Sequence, residues 1–86
     1  MDIESPRPMP RYFFDVQDGD RLQMDDTGTE FPNADLAHHA AVLALGELAK
    51  DVLHRGSDQR TLIMRVREEQ GRTVSDLTLS FEAKRH

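Results

Sequence analysis

Cysteine and tryptophan are both absent from this chain, and aromatic side chains amount to one tyrosine and four phenylalanines in 86 residues. Without cysteine there is no disulfide framework, no thiolate metal site and no thiol nucleophile. No apolar run approaches the roughly 20 residues that a membrane-crossing helix needs. The N-terminus lacks the long apolar segment of a secretory signal. These absences make the cytoplasm the expected compartment and remove the membrane from the expected partners. Basic residues are the minority, eleven against sixteen acidic, for a formal net charge of −5. Non-specific nucleic-acid binding depends on neutralising phosphates, so this balance disfavours it while leaving room for a local basic strip. The five glycines are scattered, and no loop of them is arranged to cradle a phosphate.

A chain of this length makes one small domain. It buries only about 60% of its unfolded surface, and that marginal stability raises the odds of self-association. The longest pattern in it is helical and runs from Ala34 to about Arg55, roughly 30 Å at 1.5 Å per residue. Asn33 is the expected N-cap, Asp35 places a negative charge in the first turn, and His54, Arg55 and Gly56 form the stop signal. Ala37, Ala41, Ala44, Leu45, Leu48 and Val52 repeat at three- and four-residue spacing and mark the face that meets the rest of the fold. Leu36, Ala40 and Leu43 lie roughly opposite. Two leucines there are either scattered exposed apolar residues, which is ordinary, or a helix-to-helix contact in a homodimer.

Alternation marks four strands. Residues 11–17 put Tyr12, Phe14 and Val16 on one face; residues 21–25 return after the Asp18-Gly19 turn, with Leu22 and Met24 expected inward. Residues 29–31 read as a short extended lead into the helix. After it, residues 60–68 and 73–83 form a hairpin about Glu69-Gln70-Gly71-Arg72, with Leu62, Met64, Val66, Leu77, Leu79 and Phe81 inward. The expected fold is therefore α+β: a two-layer sandwich in the order strand, strand, helix, strand, strand, whose four-stranded antiparallel sheet carries one helix on one face. The domain spans residues 11–83, preceded by a proline-containing disordered leader over residues 1–10 and followed by a polar tail over residues 84–86. The open face of the sheet is expected to carry Phe13, Asp15, Gln17, Ile63, Arg65, Arg67, Thr78, Ser80 and Glu82, mostly polar and solvated.

The run Met-Pro-Arg-Tyr-Phe-Phe-Asp-Val-Gln-Asp-Gly from Met9 to Gly19 resembles the opening of a family of small bacterial domains of unknown function. In that family the opening is followed by an acidic Asp-x-x-Gly-Thr-Glu-x-Pro element, matched here by Asp25 to Pro32. An alanine-rich helix and a strand pair with a central Gly-Arg turn follow, matched by Gly71-Arg72. The paired His38-His39 departs from the pattern, which carries charged residues there. The resemblance spans residues 9–82 and implies a fold and no chemistry. It supports Met9 as the natural beginning of the domain.

The polar residues offer little catalytic grammar. Adjacent His38 and His39 diverge by about 100° on a helix, whereas two helical metal ligands need three- or four-residue spacing. Asp18, Asp20, Asp25, Asp26 and Glu30 do not follow the spacing of a calcium loop, and turn chemistry accounts for them. Neither a nucleophile with a neighbouring base nor a carboxylate pair at defined separation can be assigned. No catalytic, cofactor-binding or metal-binding residue is therefore expected. The sequence points instead to a non-enzymatic protein-interaction module, with another protein or a second copy as partner. Leu36, Leu43, Phe13 and Ile63 are its candidate interface. The alternative is a nucleic-acid-binding or antitoxin-like regulator using the open sheet face, with Arg65 and Arg67 as the contacts and Phe13 as a stacking platform. Acids on the same face make cross-strand charge pairing the competing role for both arginines.

Overall fold

The computed structural model describes residues 9–86, so the expected leader lies, up to residue 8, outside the described residues. Five strands and one helix follow in the order β1 (Arg11–Asp18), β2 (Arg21–Gln23), β3 (Thr29–Glu30), α1 (Ala34–His54), β4 (Gln59–Glu68) and β5 (Thr73–Glu82). The fold is α+β, as the alternation implies. The sheet is antiparallel in the order β2-β1-β4-β5, and β3 pairs with β1 beyond the end of β2. It has five strands, not four. The expected lead into the helix is hydrogen-bonded, with Tyr12 opposite Thr29 and Arg11 opposite Glu30.

Helix α1 starts where its cap dictates. The Leu36 N–H donates to Asn33 Oδ1 at 2.9 Å, and Asn33 itself is extended. Gly56 turns the chain away at a φ of +79°, in the left-handed region that favours glycine. The helix dries one side of the sheet. Ala37, Ala41, Leu45, Ala49 and Val52 are buried against Tyr12, Leu62, Met64 and Val66, and Leu48 packs on this core half-buried. Ala44, expected in the stripe, is exposed, and Ala49 takes its place. At 100° per residue this is a rotation of roughly 30°, and it follows from where the helix lies: over β4 and β5 rather than over the sheet's midline.

The second correction concerns β2. Its pairing sets Asp18 opposite Arg21, Gln17 opposite Leu22 and Val16 opposite Gln23. Residues directly opposite share a face. The two-residue turn Gly19-Asp20 therefore sends Leu22 to the helix-free face with Gln17, and puts Gln23 on the helix side with Val16. Leu22 and Met24, expected inward, are 62% and 56% exposed. Strand β2 also ends at Gln23 rather than reaching Asp25.

Candidate functional site

The helix-free face gathers the side chains of odd-numbered residues on β1 and β4: Phe13, Asp15, Gln17, Ile63, Arg65 and Arg67. That face is not the evenly solvated surface that alternation suggests, because Asp15 is only 5% exposed. The segment between β2 and β3 covers it. A continuous ladder would set Thr27 opposite Tyr12, but Thr29 stands there, so two residues are looped out of the edge. Where the ladder is interrupted, the Asp25 carboxylate replaces a backbone acceptor. It takes the Phe14 N–H on Oδ2 and the Thr27 and Gly28 N–H groups on Oδ1, each at 3.0 Å. Gly28, at φ +75°, completes the turn with no room for a side chain. A Cβ there would meet Arg11 Cγ at 2.7 Å and Phe13 Cε1 at 2.9 Å.

Asp15, Asp25 and Arg67 form one unit. Arg67 donates from Nε to Asp15 Oδ2, from Nη2 to Asp15 Oδ1 at 3.1 Å and from Nη2 to the Asp25 carbonyl at 3.2 Å. The Asp25 N–H donates to Asp15 Oδ1 at 3.0 Å. The guanidinium also lies 5.1 Å from the centre of the Phe13 ring, within cation–π range. Hydrogen bonding from Arg67 is the largest influence on Asp15; it overcomes burial and holds that carboxyl below the ordinary aspartate pKa. For Asp25 burial is the largest influence and opposes ionisation. The N–H donors of Gly28, Phe14 and Thr27, with the charge of Arg67, outweigh it and the pKa is again lowered. Both acids are held as carboxylates, which is the opposite of what a general acid requires.

The remaining candidates are placed as follows. Arg65 pairs with Asp76 through Nε at 2.8 Å, with both side chains more than half exposed. Arg65 and Arg67 thus both take part in cross-strand charge pairing, and Arg67 with Phe13 is committed to the Asp25 loop. Ile63 is half-buried beside Gln17 and adjoins Leu22 and Met24 in an open depression of about 460 Å³, with Arg65 at its rim. Leu36 and Leu43 stay exposed on the helix, on the side away from the sheet. The structure therefore separates the four apolar interface candidates: Ile63 joins the depression, Phe13 lies under Arg67, and the two leucines share another surface. His38 is exposed and its Nδ1 meets Ser75 Oγ at 2.8 Å; His54 Nδ1 meets the Lys50 carbonyl at 3.0 Å. Among the described residues no three His, Asp or Glu side chains are grouped to hold a metal, and no helix is long and apolar enough to cross a membrane.

Sequence reasoning missed Leu22 and Met24 as surface residues and Asp25 as the organiser of the loop. The first was readable from the length of the turn. The second had a local signal only for its turn, the Asp-x-x-Gly spacing from Asp25 to Gly28; its bond to the Phe14 N–H has none, because the pairing of β3 with β1 decides it.

These features define a class: a small α+β domain with one helix on a five-stranded open sheet, whose second face is shaped by an acid-organised loop. The chain belongs to the family described as a domain of unknown function, DUF6894, whose profile matches residues 11–80. No curated protein and no solved structure matches it.

Proposed function

We propose that the chain is a non-enzymatic protein-interaction module of the cytoplasm, and that its contact surface is the open depression on the helix-free face. The observation that carries this reading is the outward placement of Leu22 and Met24 beside Ile63. Apolar side chains gathered on an outer sheet face add nothing to the chain's own core and mark a site for another surface. Gln17, Arg65, Arg67 and Thr73 supply a polar rim around the apolar centre, the usual anatomy of a protein interface. The non-enzymatic half of the proposal rests on Asp15 and Asp25, whose donors keep them ionised and engaged. The partner that fits is a protein offering an apolar anchor for the depression.

Photo-cross-linking tests this in the native cell. A photoreactive residue in place of Leu22 is expected to give a discrete protein adduct, lost when Ile63→Asp is added, and absent when the same probe replaces Glu47 on the helix. An adduct no stronger than that from Glu47, or one made with nucleic acid, would refute the proposal.

A further inference from the structure

Strand β5 forms one border of the sheet, and among the described residues nothing pairs with its outer side. Its ten residues contain neither proline nor lysine, two of the devices that ordinarily keep an edge from pairing. The opposite border is blunted, because β2 and β3 are short and the Asp25 loop interrupts them. The Ala83 N–H donates to the Asp58 carbonyl at 2.7 Å. That bond continues the β4–β5 register, so from Ser75 onward the odd-numbered residues of β5 direct their backbone groups to β4. By alternation, the N–H and C=O groups of Asp76, Thr78, Ser80 and Glu82 point out of the sheet. On the helix side, Leu77, Leu79 and Phe81 stay half-buried although Leu62 and Met64 beside them are buried.

Helix α1 is set over the same border. It packs on β4 and β5, and neighbouring strands lie about 4.8 Å apart. A two-fold axis just outside β5 would place a second copy of α1 about 10 Å from the first, the spacing at which helices pack. His38 reaches Ser75 of β5, which identifies the flank of α1 turned toward that border. Val42, Gly46 and Leu53 lie on the same flank at 100° per residue. Val42 and Leu53 are exposed. A Cβ on Gly46 would meet nothing within 4 Å, which leaves room for another backbone to approach.

We infer that two copies of the chain associate about a two-fold axis, β5 pairing antiparallel with β5 around Thr78 and the two α1 helices packing through Val42, Gly46 and Leu53. Centring on Thr78 sets outward-pointing backbone against outward-pointing backbone. It places Leu77 opposite Leu79 under the helices and Asp76 opposite Ser80 on the other face. Centring on Leu79 would instead oppose Asp76 and Glu82, a like-charge pair. The sheet continues through both copies, and the unpaired border of each disappears. The dimer contact adjoins the depression through the Arg65–Asp76 pair but leaves Leu22, Met24 and Ile63 outside it, so the two readings are tested at different residues.

The chain has no cysteine of its own, so Thr78→Cys introduces a single thiol. Hydrogen-bonded antiparallel partners have Cα atoms about 5.5 Å apart, within the range of about 4.4–6.8 Å that a disulfide spans. Mild oxidation is expected to convert Thr78→Cys to a covalent dimer. Leu43→Cys, on the outward side of the helix, should cross-link far less. The unmodified chain should sediment as a dimer at micromolar concentration, and Thr78→Pro, which deletes an outward N–H, should shift it toward monomer with its circular dichroism retained. A strict monomer in sedimentation, or cross-linking that favours Leu43→Cys over Thr78→Cys, overturns the inference. Neither result alters the adduct expected from the Leu22 probe.

Discussion

Asp15 is the residue whose surroundings differ most from its place in the pattern. It alternates onto the open face, yet its side chain is 6% exposed and Arg67 beside it 25%. Breaking such a pair leaves a partly desolvated guanidinium without its counter-charge. Asp15→Asn is therefore expected to cost about 2–3 kcal/mol of unfolding free energy, below the fully buried case because Arg67 keeps some water. Asp76→Asn breaks an exposed pair and should leave the denaturation midpoint within error of the parent chain. Chemical denaturation of both variants makes the comparison. The same acids set the response to pH. Asp15 and Asp25 both have folded-state pKa values below their unfolded values. Their contribution is thus fully present above the unfolded aspartate value of about 3.9 and is lost as pH falls through the lower folded values. Unfolding free energy measured from neutral pH downward should start to drop near about pH 4. Asp15→Asn should flatten that drop.

At the scale of elements, the loop between β2 and β3 is the part of the edge that shapes the site. It replaces ladder bonds to β1 with a carboxylate, and Gly28 lets it press on Arg11 and Phe13. Gly28→Ala is expected to destabilise by about 2 kcal/mol, from the strained φ and from overlap with β1. The loss should appear in thermal or denaturant unfolding, with the nearby Asp25 contacts loosened. Much of the element order was legible. The cap at Asn33, the stop at Gly56 and the alternation of β1, β4 and β5 are local signals, and local backbone preferences produced those boundaries. The fifth strand was not legible. Two residues, Thr29 and Glu30, become a strand only because β1 has an unfilled edge beside them.

For the whole molecule, stability should be graded from the middle of the sheet outward. Strand β4 is flanked on both sides and carries three buried apolar side chains, Leu62, Met64 and Val66. Strand β2 is a three-residue edge with every residue exposed. Amide hydrogen exchange is expected to be slowest along β4 and fastest in β2, because local opening near an edge exposes little apolar surface.

Periodicity by itself determined that there would be one capped helix, strands before and after it, and a dried side formed by Tyr12, Leu45, Val52, Leu62, Met64 and Val66. Those features depend on repeats of 3.6 and 2 residues and on caps, which short stretches of chain encode. Tertiary structure decided the rest: the helix-to-sheet offset that rotates α1 toward β5, and the pairing of β3 that buries Asp15 beneath the Asp25 loop. Register relates residues far apart in the chain, and a shift of one position exchanges the two faces of a strand. No local pattern carries that information.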